Sequence, residues 1–449
     1  MTVRKIQKEN CRGVYGEIMA TAALSTSIEL RERYRLVRQR SLKLCEPLTP
    51  EDMMVQSCPE ASPAKWHIAH TSWFFESFLL SEFLPEYEVF DKDFPWLFNS
   101  YYQSFAEFPD KRLRASFSRP ALGEILRYRR HVDDALARLL EGEVPEEALR
   151  RIELGLNHEE QHQELLLTDV KHALFTNPLQ PAYLAEDAGG QVETEAGADP
   201  MRFVSYEGGL VEIGYSGEEF SFDNERPRHR VWLEPFKIAS RLVTCGEFAE
   251  FIADGGYSRP EFWLSVGWTT VQEQKWEAPL YWRKVNGEWS IFTLRGAKTL
   301  AALKDTSVAH VSYFEADAYA HWAGRRLVTE AEWESVAAKL PVEGNLLESG
   351  RLGTTSSPEQ VVSKDGDGYR PSQMFGDCWE WTGSAYLGYP GFQPLAGSLG
   401  EYNGKFMSGQ MVLRGGSCVT PTEHVRASYR NFFSPETRWQ FSGIRLASS

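Results

Sequence analysis

Two histidines four residues apart, His158 and His162, stand in LNHEEQHQELLLTDVKH, Leu156 to His172, a stretch without glycine or proline and rich in good helix formers. On a helix, residues i and i+4 lie one above the other on the same face, so both imidazoles can aim at one atom. That spacing suits a metal. It is less specific than HExxH: Glu159 could be taken for the base of such a motif, and a further ligand must come from elsewhere in either case. The plainer reading is a solvated, charged helix face, which Glu159, Glu160 and Glu164 would suit. A second histidine-bearing segment upstream favours the metal. There, KWHIAHTSWFFESFLL, Lys65 to Leu80, places Trp66, His70, Trp73 and Ser77 on one helical face, so His70 points toward an aromatic interior. His67, three residues away, stays open as an alternative, and a hydrogen-bonded core histidine is the competing role for His70.

Four helices are expected to position these groups. Ser27 to Leu44 carries Leu30, Tyr34 and Val37 at helical spacing. The second helix opens at Ser62-Pro63, with Ser62 as N-cap and Pro63 in the first turn. A third opens at Pro120 with Leu122, Ile125, Val132, Leu136 and Leu139 on its core face, and a fourth, from about Pro145 to Phe175, holds the histidine pair. Bundles build metal sites from inward residues on facing helices. The connection from Ser81 to Arg119 is too long for a simple turn, and Phe94, Trp96, Phe98, Tyr101, Tyr102 and Phe105 make it too aromatic for a disordered one. It reads as a loop packed over the mouth of the bundle.

From Thr176 to Met201 the chain turns to proline, glycine, alanine and acid, as a linker does. The expected organisation is a polar leader over residues 1–26, the bundle over 27–176, the linker over 177–201 and a second domain over 202–449. That last domain shows short apolar segments, many tryptophans and two helices, Tyr313 to Ala323 and Glu330 to Lys339. Two domains fit the length, since 449 residues exceed what one core usually serves. The net charge of -15 argues against a nucleic-acid backbone as partner. No run approaches the ~20 apolar residues of a membrane span. The first residues lack the apolar core of a signal peptide, and six scattered cysteines without CxxC suit a reducing compartment. A cytoplasmic protein acting on a small molecule is expected.

Particular segments carry a resemblance. GGLVEIG from Gly208, NERPRHRVWLEPFKIASRLVTCGEFAEFI from Asn224, HVSYFEADAYAHWAGRRLVTEAEWE from His310, MFGDCWEWT from Met374, VLRGGSC from Val412 and SGIRLA from Ser442 resemble the formylglycine-generating-enzyme fold, a C-type-lectin-like α+β module. The first domain resembles the DinB-like metal-binding four-helix bundle, with His70, His158 and His162 at its ligand positions. Together they resemble the iron-dependent sulfoxide synthases of ergothioneine biosynthesis, over nearly the whole chain from about Ser27. The resemblance implies a non-haem iron(II) enzyme that uses O2 to join cysteine or γ-glutamylcysteine to the imidazole C2 of hercynine. Three neutral imidazoles on Fe(II) leave positions for other ligands, and zinc on the same ligands has no redox change with which to activate O2.

By the same resemblance Gln161 hydrogen-bonds the hercynine imidazole, and Asn431 matches a hercynine-binding asparagine. Phe432 and Phe433 beside it could face a trimethylammonium group, although core packing is the competing role. In one branch of the family the asparagine is followed by Trp-Asp, and an active-site tyrosine follows the WEWT segment; here Phe432-Phe433 follows, and Gly391 to Tyr402 has no tyrosine at the matching place. Tyr101-Tyr102 instead fits the branch with two adjacent tyrosines between the second and third helices, one of them a catalytic proton donor. For the donor carboxylate the candidates are Arg112, Arg114, Arg430 and Arg438, with Arg438 and cysteine preferred. Competing readings are an ovothiol-type synthase, whose usual methyltransferase domain this chain is not expected to hold, and a DinB-like thiol transferase, which would not need the second domain.

Overall fold

A computed structural model describes residues 28–105, 107–185, 197–357 and 370–449. The polar leader and the middle of the expected linker lie outside them. The described chain forms two units: residues 28–54, 62–100 and 107–163 make the first, and 55–61, 101–105 and 164 onward the second. No described helix is long and apolar enough to cross a membrane.

The first unit is helical. Helix α1 spans residues 28–43 and buries Leu30, Tyr34 and Val37. Helix α2, Ala64–Phe75, buries all 12 of its residues, then continues through a π-helical turn, Glu76–Leu80, to Ser81–Phe83. The turn surrounds the buried Glu76 carboxylate, which accepts hydrogen bonds from Tyr87 Oη at 2.6 Å, Tyr128 Oη at 2.7 Å and the Phe90 amide at 3.1 Å. Helix α3, Leu122–Leu139, buries Ile125, Val132, Leu136 and Leu139 as its periodicity predicts. Helix α4, Glu146–Thr176, carries the histidine pair. A Cβ at Gly155 would sit 2.5 Å from Phe75 Cε1, so α2 and α4 approach there as only glycine permits.

Two expectations change. Ser62 is not the N-cap of α2: Pro63 takes that position without a side-chain cap, and the Ser62 hydroxyl accepts from Arg114 at 2.8 Å. The acids of α4 do not face solvent either, since Glu159 and Glu160 are 0% exposed and Glu164 6%. Glu159 accepts from Arg129 of α3 at 2.5 Å, and from Ser41 and Arg38 of α1 at 2.6 and 2.9 Å. Glu160 accepts from Arg33 at 3.1 Å. Burial alone would push Glu159 up; Arg129 and Arg38 hold it at about 2.

The second unit has short strands in four sheets. In chain order they are β1 Phe203–Tyr206, β2 Gly209–Ile213, β3 His229–Leu233, β4 Phe236–Ala239, β5 Trp282–Val285, β6 Glu288–Thr293, β7 Gly296–Thr299, β8 Arg326–Leu327, β9 Trp379–Ala385, β10 Met411–Arg414, β11 Asn431–Phe433, β12 Ser442–Gly443 and β13 Leu446–Ser448. The sheet orders are β1-β4-β13-β8, β11-β10-β9-β12, β2-β3 and β5-β6-β7. Trp333, Ile238, Phe375 and Ala447 share one core cluster. The expected helices form at Tyr313–Trp322 and Glu330–Ala337, each opened by a capping box, Ser312 with Glu315 and Thr329 with Glu332. Cys245–Ala253 and Ser265–Gln274 are helices the periodicity did not single out. The first had a readable signal, the capping box of Thr244 with Glu247. Trp379 and Trp381 of the WEWT segment are buried in β9.

Candidate metal centre

His70 of α2 and His158 and His162 of α4 come together, each offering a ring nitrogen within 4.8 Å of the others. The rings lie 4.6 to 5.0 Å apart at steep angles, an arrangement that directs lone pairs to a common point. His70 is packed between Trp66, at 4.4 Å, and Trp73, at 5.1 Å. Its Nδ1 donates to the Phe98 carbonyl at 2.6 Å, which fixes the tautomer and leaves Nε2 as the lone-pair nitrogen. Nε2 is buried and has no hydrogen-bond partner. His67 is not in the cluster; its Nδ1 lies 2.8 Å from Nδ1 of His162, one ring donating to the other and steadying it.

All three imidazoles are neutral at physiological pH. Burial pushes His158 down to about 3, and burial followed by the neighbouring histidines holds His70 and His162 well below their ordinary value. Neutral, converging and oriented imidazoles fit a first-row divalent ion, which binds the deprotonated ring. Glu159, the alternative base of a HExxH-like site, is spent on Arg38 and Arg129.

Arg114 stands beside this cluster, its guanidinium 3.4 Å from the Trp66 ring centroid. It is 5% exposed, and its charge adds to the lowering of His70 and His162. Gln161, half-buried, lies on α4 between His158 and His162.

The other expected residues, Arg112 apart, lie in the second unit. Tyr101 and Tyr102 stack at 4.7 Å, and Tyr102 is 0% exposed; burial raises both phenols above their ordinary value. The loop after WEWT does bring a tyrosine to them, because the Tyr402 ring lies 6.2 Å from Tyr101. Asn431, Phe432 and Phe433 form the edge strand β11. Asn431 Oδ1 accepts from the Phe432 amide at 2.9 Å, and Phe432 stacks on Tyr386 at 4.0 Å. Arg438 is ion-paired to Glu315 at 3.1 Å and lies over Trp276. Arg430 is paired to Glu330 and Arg112 to Asp110. Nothing in the residue pattern marks the Phe98 carbonyl, since any residue supplies one.

Residues 33–172 match the DinB superfamily, and residues 189–449 match the sulfatase-modifying factor enzyme 1-like domain. The hercynine oxygenase of Mycolicibacterium smegmatis is 32% identical over 446 residues, covering 93% of this chain and 98% of that protein. That of Mycobacterium tuberculosis is 33% identical, covering 91% and 96%. The formylglycine-generating enzyme of Bos taurus is 25% identical over 58% of this chain and 78% of its own length.

Proposed function

The chain belongs to the hercynine oxygenase family, and from that premise we propose that it joins cysteine or γ-glutamylcysteine to the imidazole C2 of hercynine. In this reaction the C2–H and S–H bonds break and a C–S bond forms. One oxygen atom of O2 ends on sulfur as the sulfoxide, and the other leaves as water with the two hydrogens. The observation that carries the reading is the group of three neutral imidazoles, His70 and His158 buried and His162 half-buried. His70, His158 and His162 would hold iron(II), which supplies redox chemistry with O2 and favours the thiolate form of the donor.

The protein's own residues then bind and orient. The Phe98 carbonyl and His67 keep two of the ligand rings in place. Arg114, buried beside the histidines, takes the donor carboxylate in our reading; Arg438 already serves Glu315. Gln161 orients the hercynine imidazole. Asn431 has committed its oxygen to the Phe432 amide, so its NH2 is the end suited to the substrate carboxylate, and Phe432 and Phe433 offer ring faces to the trimethylammonium. Tyr101 or Tyr102, a phenol kept protonated by burial, donates the proton that steers oxygen toward C–S coupling rather than toward the thiol's sulfinate.

Anaerobic loading with Fe(II), then O2 with hercynine and each thiol in turn, tests this by mass spectrometry of the products. A hercynine-derived sulfoxide with one of the thiols is expected, and none with histidine in place of hercynine. Absence of sulfoxide with every thiol from iron-loaded protein would overturn it.

A further inference from the structure

Tyr101–Phe105 has no helix or strand of its own. Within the second unit it is held by one short stretch of chain. The Glu401 carboxylate accepts from the Gln103 amide at 3.1 Å, from the Ser104 amide at 2.8 Å and from the Ser104 hydroxyl. Lys405, four residues further on, donates to the Tyr101 carbonyl and to Glu401 at 3.2 Å. Its ammonium also lies 4.8 Å from the centre of the Tyr101 ring. Against the upward push of burial, Ser104 and Lys405 hold the Glu401 carboxyl at about 2, so it is ionised at any working pH.

An exposed i,i+4 ion pair by itself contributes little to stability, and these side chains are 22% and 31% exposed. Charge-assisted bonds to backbone are stronger and directional, and here they converge on the residues flanking the two phenols. We propose that Glu401 and Lys405 are a positioning clamp that holds Tyr101 and Tyr102 in the arrangement that decides between C–S coupling and oxidation of the thiol. The proposal rests on the role given to the tyrosines above. Neither residue touches substrate. Their effect passes through the backbone of the tyrosine segment, where a displacement of a fraction of an ångström is enough to misplace a proton donor.

The test uses the full iron-loaded chain with hercynine and cysteine, comparing Glu401→Gln, Lys405→Met, Lys405→Arg and the milder Ser104→Ala with the parent. Glu401→Gln and Lys405→Met are expected to raise the sulfinate-to-sulfoxide ratio about fivefold, with parental iron content and melting temperature. Amide exchange at Gln103 and Ser104 should quicken about tenfold. Lys405→Arg restores the parental ratio, and Ser104→Ala falls between. Faster exchange with an unchanged ratio would make the clamp merely structural and overturn the proposal. The Tyr101→Phe/Tyr102→Phe double variant separates the two levels of the argument. If it shifts the ratio and the clamp variants do not, the clamp is wrong; if it also keeps the parental ratio, the reading of the tyrosines fails and the clamp with it.

Discussion

Two buried polar centres, one in each unit, are built on opposite plans. In the second unit Arg445 and Glu380 are both 0% exposed and fully engaged. The guanidinium meets the carboxylate at 2.7 and 2.8 Å and donates to the carbonyls of Ala239, Ser372 and Gln373, while Trp333 adds a hydrogen bond to Glu380 at 2.9 Å. In the first unit His70 is buried as deeply, yet its Nε2 meets no hydrogen-bond partner and faces two further imidazoles. Burying a polar atom without a partner costs stability. At the histidines that cost falls on ring nitrogens that converge on one another, whereas at Arg445 and Glu380 each of these donors meets an acceptor.

The most damaging test of the contrast is His70→Ala. Iron content is expected to fall to about a tenth of the parent's or less, with O2-dependent turnover lost alongside, because a three-ligand site cannot spare one. His67→Ala, removing an orienting contact, should weaken iron affinity by about 10–100-fold. Metal analysis after dialysis against limiting Fe(II) reads both, and full occupancy in His70→Ala breaks the assignment.

Arg445→Met should do the reverse. Breaking a buried pair from one side costs about 3–5 kcal/mol, read as a lower denaturation midpoint, while iron bound per folded molecule stays parental. Loss of iron at unchanged stability would mean that the two centres are not separable.

A smaller effect is expected at the arginines. Arg114→Ala should raise KM for the thiol about tenfold, in line with the loss of one hydrogen bond to a charged group. With Arg438→Ala, KM should stay within about twofold, since that guanidinium serves Glu315. The opposite ranking in steady-state kinetics with cysteine varied would move the carboxylate site to Arg438.

The mildest effect belongs to a third kind of centre. Lys171 lies 2.7 Å from His310 Nε2, over the rings of Tyr281 and Phe441 and in the field of Cys418, Cys378 and Cys245, with no carboxylate in reach of an ion pair among the described residues. Burial pushes its ammonium down to about 7. Between that value and the ordinary lysine value the unfolded chain binds more protons than the folded one, so stability rises with pH across this window. Below 7 both states are protonated and the burial penalty is complete. The parent's resistance to denaturation should therefore rise from pH 7 to 9, relative to Lys171→Met, by about 1 kcal/mol per pH unit or less. Parallel profiles would show that the amine is charged in place.

Much of the first unit was legible because its signals are local. Helical spacing placed Leu30, Tyr34 and Val37 inside, and the i,i+4 histidines with His70 formed the cluster that the structure brings together. Glu159 and Glu160 misled for the converse reason: the arginines that make their burial tolerable sit on other helices, up to 127 residues away. Ser62 looked like a cap and is spent on Arg114, again a distant partner. In the second unit, strands of two to seven residues are too short for alternation to declare itself. Motif resemblance carried the reading there, and it could not reveal that Tyr402 meets Tyr101.

Gly155 limits how this protein can be improved. Replacing a mid-helix glycine with alanine is an ordinary way to stiffen a helix, and gains about 0.5–1 kcal/mol where the site has room. Here the new methyl would press on Phe75 and Phe74, at 2.5 and 3.1 Å, in the layer next to the one that carries His70 and His158. Directed evolution for heat tolerance should therefore find that survivors at this position remain glycine. A variant that forces the methyl in would widen the spacing between α2 and α4 and change metal selectivity before it changes melting behaviour.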